Sequence, residues 1–280
     1  MGEITAKDVK VLRDATHVSM MECKKALQEA DGDMDRAMTL LRERGMAVAA
    51  KKATRTAKDG KVAARVSEDG SRAAMIEVNC ETDFVTRNEK FQAFVEELSE
   101  KALDAEDDSL AEKVKDDLTA RIAEIGENLV VRRNVRFELQ GTGLLASYVH
   151  LGGKVGVLLE MGCEKPETAS ADAFRELARD LTLHVAATDP EALSREDVPQ
   201  EKVDAEREIF KKQVEGKPEH IIEKIVEGKV DKFYSQICLL EQGFVKDDKI
   251  SVTELMKQKG GEVGDTFSIR RYARYQLGGE

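Results

Sequence analysis

Along this 280-residue chain, apolar residues recur first at helical spacing, then at strand spacing, and then in an alternation of the two. Three short helices are predicted at the start. Thr5 caps the first, with Asp8 in its opening turn and Val9 and Leu12 on its apolar stripe. Ser19 and Glu22, three apart, form a capping-box pattern for a second helix through Ala30. After the Asp31-Gly32 break, Asp33 caps a third carrying Met34, Ala37, Met38, Leu40 and Leu41, and Gly45 after Arg44 is its expected end. Residues 1–45 thus read as a compact three-helix domain. Residues 46–60, rich in Ala and Lys, read as a helical or partly mobile linker that includes Lys51-Lys52.

From Lys61 the period falls to two. Val62, Ala64 and Val66, a turn near Asp69-Gly70, then Ala74, Ile76 and Val78 predict a hairpin running to Cys80. Helical patterns cover residues 87–103 and 110–125, and strands are predicted at 129–139, 144–151 and 155–161, with Gly152-Gly153 as a tight connection. A helix over 169–187 stops near Pro190. Residues 191–228 are strongly charged, with Val203, Ile209, Phe210 and Val214 before a Gly216-Lys217-Pro218 break and Ile221, Ile222, Ile225 and Val226 after it. That pattern predicts two antiparallel helices protruding as a hairpin. A helix over 252–259 and a strand over 266–275 close the chain.

Comparing the chain with itself exposes a repeat. A shift of 83 positions superposes Met75-Ile76-Glu77-Val78 and Cys80-Glu81 on Leu158-Leu159-Glu160-Met161 and Cys163-Glu164, and Phe91 and Leu98 on Phe174 and Leu181. The copies diverge at Thr82-Asp83-Phe84-Val85, which becomes Lys165-Pro166-Glu167-Thr168. Shared residues read as core, which leaves the divergent loop free for function. The fold class expected is α+β: a three-helix module, two related core subdomains with antiparallel sheets (61–145, and 146–190 with 229–280), and the hairpin 191–228 as an insertion.

Charge and chemistry narrow the choice of activity. A formal net charge of -11 opposes direct binding to nucleic acid, whose free energy comes from Lys and Arg releasing counterions. No run of about 18 apolar residues predicts a membrane span, and the N-terminal residues lack a leader pattern, so a cytoplasmic location is expected. Cys23, Cys80, Cys163 and Cys238 are too far apart to suggest a zinc or redox pair and read as reduced core residues. Each Gly-Lys pair lacks the following Ser or Thr of a phosphate loop, and Gly141-Thr142-Gly143 reads as a turn. His17, His150, His184 and His220 show no metal-binding spacing. No metal, cofactor or catalytic residue is expected, and the chain is not expected to be an enzyme.

Two local features stand out. Asp83-Phe84 places an aromatic ring beside a carboxylate where a strand passes into a helix; read locally, Asp83 caps that helix and Phe84 packs as a staple. Met20-Met21 puts adjacent methionines on a helix, where one is expected in the core and the other as an adaptable partner contact.

At these residues the chain resembles the bacterial elongation factor Ts family. The resemblance lies in Leu12-Arg13 to Thr16, in Met20-Met21-Glu22-Cys23-Lys24-Lys25-Ala26-Leu27, and most specifically in Glu77-Val78-Asn79-Cys80-Glu81-Thr82-Asp83-Phe84-Val85. It continues through Ile125-Gly126-Glu127-Asn128, Ser147-Tyr148 with His150, His184-Val185-Ala186-Ala187, and Gly216-Lys217-Pro218 to Lys232-Phe233. His17-Val18 departs from it, since the family usually has Gly and then a small residue there. The resemblance implies a ubiquitin-associated-like (UBA-like) N-terminal module and a guanine nucleotide exchange factor for elongation factor Tu, its GTPase partner, with a higher-order complex possible. It implies that Thr82, Asp83, Phe84 and Val85 form a loop that disturbs the partner's magnesium site. It also implies that Arg13, Met20 and Met21 bind the partner from the N-terminal module, and His150 from the core. The rival from another class is a UBA-like protein-binding adaptor without exchange activity.

Overall fold

The computed structural model describes residues 4–16, 18–214, 216 and 218–279; His17 and Lys217, singled out above, lie outside them. Three helices, α1 (Ala6–Thr16), α2 (Met20–Glu29) and α3 (Met34–Lys52), form the N-terminal module around Leu12, Cys23, Ala26, Leu27, Ala37 and Leu41. Their starts are fixed by local hydrogen bonds. The Thr5 backbone N–H donates to Asp8 at 3.0 Å, Ser19 accepts from the Glu22 N–H at 3.3 Å, and Asp33 accepts from the Arg36 N–H at 3.0 Å.

The end expected at Gly45 is not there, and much of the expected linker is helix, because α3 runs on to Lys52. Gly45 is buried against α7 (Lys115–Ile125), where a Cβ would lie 3.8 Å from that of Ala123. Arg42 pairs with Asp116 of the same helix at 2.6 Å. Packing on the core carries α3 past a residue whose helical cost is only about 1 kcal/mol.

The core is built twice. Strands β1 (Asp59–Val66), β2 (Arg72–Cys80) and β3 (Leu129–Glu138) form one antiparallel sheet with β2 central; β4 (Gly143–His150), β5 (Val155–Gly162) and β8 (Ser268–Gln276) form the other with β5 central. Both central strands shift register at the same point, between Glu77 and Val78 and between Glu160 and Met161. After each comes a four-residue helix, α4 (Asp83–Thr86) or α8 (Pro166–Ala169), and then a long one, α5 (Glu89–Lys101) or α9 (Asp172–Thr188). The starts of the central strands and of these helices repeat at the 83-residue offset. Between α5 and β3 the first half inserts α6 (Leu110–Lys113) and α7.

Alternation along β2 explains the layering. Ala74, Ile76, Val78 and Cys80 face α5 with Phe91, Phe94 and Leu98, while Ala73 and Met75 face the second sheet with Leu145 and Leu158. The sheets approach closely at Gly156, where an added Cβ would sit 2.4 Å from Val62 Cγ1 and 2.8 Å from Met75 Sδ. The second half has its own core from Val157, Leu159 and Met161 with Phe174, Leu181 and Phe267.

A buried carboxylate marks the same place in each half. Glu77 accepts from Arg133 Nε at 2.8 Å, Arg132 Nη1 at 3.2 Å and the Gly278 N–H at 2.9 Å. Glu160 accepts from Arg271 Nε at 2.7 Å, Arg270 Nη1 at 3.3 Å and the Gln140 N–H at 2.7 Å. The guanidinium of Arg133 lies over Tyr275 of the second sheet, 4.1 Å from the ring centre, and that of Arg271 lies over Phe137 of the first, at 4.2 Å. The halves therefore exchange equivalent contacts.

The charged segment forms α10 (Gln200–Gln213) and α11 (Glu219–Ile237), packed through Val203, Val214, Val226 and Val230. The second helix does not stop at 228 but continues to Ile237, because Val230 and Ile237 extend the same apolar stripe. Its neck is closed by the Glu191 N–H donating to Ile237 O at 2.9 Å and the Leu239 N–H donating to Ala192 O at 2.9 Å. Beyond it, β6 (Gly243–Phe244) and β7 (Asp247–Ser251) make a small hairpin that the polar pattern did not predict, followed by α12 (Val252–Val263).

Candidate functional site

Strand β2 delivers the chain to Cys80 and hands it to α4 through Glu81 and Thr82. Thr82 is extended, and the Glu127 carboxylate holds it twice, accepting from its N–H at 3.0 Å and from its hydroxyl at 2.6 Å. In the reverse direction the Glu81 carboxylate accepts from the Asn128 N–H at 2.7 Å. The Asn128 amide donates to the Arg55 carbonyl at 2.8 Å, and Lys52 at the end of α3 donates to the Gly126 carbonyl. Two loops and the segment after α3 are laced together below α4.

On this base α4 separates its side chains. Val85 is buried among Cys80, Phe91 and Leu98 and anchors the turn. Phe84 points away and is 78% exposed, the most exposed large apolar residue among those described. The local reading fails here: Thr82, not Asp83, occupies the cap position, and Phe84 is no staple. Asp83 begins the helix and pairs with Arg87 at 3.2 Å on the open surface. Such a pair is worth about 0–1 kcal/mol, so Asp83 can change partner at little cost.

The second half shows what is special about the first. α8 repeats α4 in position and shape, and Thr168 is buried as Val85 is, but the place of Phe84 is taken by exposed Glu167. The divergent loop keeps its backbone form and changes its outward chemistry.

His150 ends β4, its Nδ1 2.6 Å from the Tyr148 hydroxyl. The turn that follows reaches the start of β1, since the Val62 N–H donates to Gly153 O at 2.8 Å and Lys154 pairs with Asp59 at 3.5 Å. Asp59 is the strand partner of Cys80, so His150 and α4 share one end of the molecule. That end also carries Leu151, 71% exposed with φ of 48°. Sequence reasoning passed over Leu151; an apolar residue directly before Gly152-Gly153 at a strand end was the available signal.

Arg13, Met20 and Met21 lie apart, on the three-helix module. Arg13 is exposed and its Nε donates to Asp14 at 2.9 Å. Neither methionine is core: Met20 is 42% and Met21 65% exposed, because Cys23, Ala26 and Leu27 supply the buried stripe of α2.

The remaining chemistry is structural. All four cysteines are free and buried; burial pushes the Cys80 thiol up to about 12, with Glu127 and Asp59 adding to it, and burial pushes Cys238 up to about 11. His184 is wholly buried, with Nε2 3.0 Å from Gln242 Oε1 and Nδ1 accepting from the Val245 N–H at 3.1 Å. Among the described residues, no three His, Cys, Asp or Glu side chains gather as a metal-holding group, and no helix is long and apolar enough to cross a membrane.

The architecture is that of an α+β protein with a three-helix module ahead of a duplicated three-stranded core and a helical hairpin set into the second copy. The family model for elongation factor TS matches residues 81–279. Over 287 residues the chain is 44% identical to elongation factor Ts of Clostridium perfringens, covering 98% of this chain and 93% of that protein. It is 44% identical to the elongation factor Ts of Nitratidesulfovibrio vulgaris, covering 98% and 96%, and 42% identical to that of Lawsonia intracellularis, covering 99% of both. This chain belongs to the elongation factor Ts family, and its work lies in the elongation phase of protein synthesis.

Proposed function

We propose that this protein is the guanine nucleotide exchange factor of elongation factor Tu, and that it acts in the cytoplasm by binding rather than by catalytic groups of its own. The observation that carries the mechanism is Phe84, a large apolar ring standing in solvent on a turn whose base is fixed by Glu127 and Val85. A convex apolar tip of this kind suits insertion into a neighbour's crevice, where an enzyme site would be concave. Family membership supports the choice of partner.

GDP in a translation GTPase is held by a phosphate loop, a helix N-terminus and a magnesium ion that neutralises phosphate oxygens. Phe84 wedges beside the ion site, its burial supplying about 2 kcal/mol, while Asp83 leaves Arg87 to disturb the polar network that orders the ion. Arg13, Met20 and Met21 grip the GTPase from the N-terminal module, and His150 adds a contact from the core. Linkage makes the effect reciprocal: the factor weakens nucleotide binding, and incoming nucleotide weakens the factor's own hold by the same ratio.

The test is release of labelled GDP from purified elongation factor Tu at catalytic amounts of this protein. Phe84→Ala is expected to slow the stimulated rate about thirtyfold, the kinetic equivalent of the lost burial. Unchanged stimulation would remove Phe84 from the mechanism.

A further inference from the structure

The two halves hold the turn after their central strand with the same device, and they use it differently. In the second half the Asp265 carboxylate accepts from the N–H groups of Glu164 and Lys165, both at 3.1 Å. Asp265 stands 138 positions after Glu127, the separation that also relates Arg271 to Arg133 and Arg270 to Arg132. A carboxylate at the entrance to the last strand of each sheet is thus a shared part of the design. In the second half it steadies a turn whose outward residue is Glu167. In the first, the longer Glu127 takes both the N–H and the hydroxyl of Thr82, and the turn it steadies carries Phe84.

We infer that Glu127 is the positioning residue of the Phe84 loop: its paired hydrogen bonds to Thr82 fix the direction in which Phe84 projects. The inference rests on the exchange reading for its kinetic consequence, but not for its structural one. α4 is a single turn with no side-chain cap bond, too short to hold its own direction. Val85 anchors it beneath and the Gln92 amide donates to the Thr86 carbonyl at its exit, at 3.2 Å; at its entrance the Thr82 carbonyl accepts from the Cys80 thiol at 3.2 Å, and Glu127 alone holds the Thr82 N–H and hydroxyl. A wedge that swings must be ordered on binding, which loses rate at the bound step and not at encounter.

In stimulated GDP release, Glu127→Ala should lower kcat about tenfold, the scale of one charge-assisted hydrogen bond, with the half-saturating GTPase concentration changed less than about threefold. Glu127→Gln, which keeps length and an acceptor oxygen, should recover most of the loss. In a Phe84→Ala background, Glu127→Ala should add nothing, because both changes disable one wedge. In the free protein, amide hydrogen exchange at residues 82–86 should quicken in Glu127→Ala while β2 and β3 keep their protection.

A multiplicative loss in the double variant, a loss confined to the half-saturating concentration, or failure of β3 protection would overturn the inference and leave Glu127 a general structural residue. Unaltered exchange at residues 82–86 would do the same. An inactive Phe84→Ala with a fully active Glu127→Ala would sink this inference alone. A fully active Phe84→Ala would instead sink the exchange mechanism.

Discussion

Glu77 and Glu160 lie 83 positions apart, are both wholly withdrawn from solvent, and are each held by two consecutive arginines of the neighbouring strand. Repetition of so expensive a group shows it to be part of the repeat's plan. Each carboxylate also accepts a backbone N–H from a segment beyond its own sheet, Gly278 for Glu77 and Gln140 for Glu160. These contacts, with the arginines stacked across the halves, set how the two sheets face one another.

Removing either carboxylate takes the buried acceptor from two partly exposed arginines and from one backbone N–H. Glu77→Ala and Glu160→Ala are each expected to lose about 2–3 kcal/mol of stability, the scale of hydrogen bonds to a charged group. Urea unfolding followed by circular dichroism measures this, and the two losses should be alike. A loss below about 1 kcal/mol in either would show that the arginines find other partners.

Within α4, neighbouring residues should behave oppositely. Phe84→Ala should leave stability within about 0.5 kcal/mol, since the ring makes no core contact. Val85→Ala should cost about 1.5 kcal/mol, the two buried methyl groups it deletes. Thermal melts of the two variants decide the matter; an equal effect would mean that Phe84 is packed in solution.

Acid should weaken the second half through His184. Burial lowers the pKa of this ring below its ordinary value near 6.5, against the smaller raising effect of Gln242. Its contribution is fully present above about pH 6.5. As pH falls below that value, the unfolded chain takes up a proton that the folded ring resists, and stability is lost until the folded-state value is passed. The slope is bounded by one proton, about 1.4 kcal/mol per pH unit. Urea midpoints between pH 7.5 and 5 should fall in the parent and fall less in His184→Gln; identical profiles would clear His184 of the effect.

Much of this was legible in the residues. Alternation marked β2 and β5, the 83-residue offset marked the duplication, and Ser19 with Glu22 marked the start of α2. Gly45 misled because propensity is a weak term beside burial against α7. The hairpin's second helix was cut short because Gly228 lies in open space on its surface and interrupts the pattern without interrupting the packing. At the candidate site, Asp83-Phe84 could be found as a motif, but the role of Glu127 could not, since it depends on a hydrogen bond spanning 45 positions. Leu151 was hidden by its own simplicity, one leucine in a turn.

The contact between Glu77 and Gly278 spans 201 positions of chain. A ribosome adding about 5–20 residues per second needs roughly 10–40 s to bring the second within reach of the first. Once β3 has been made, the first sheet waits for the rest of that interval without its final donor, which arrives just behind the closing strand. The first half is thus finished by residues made after the second.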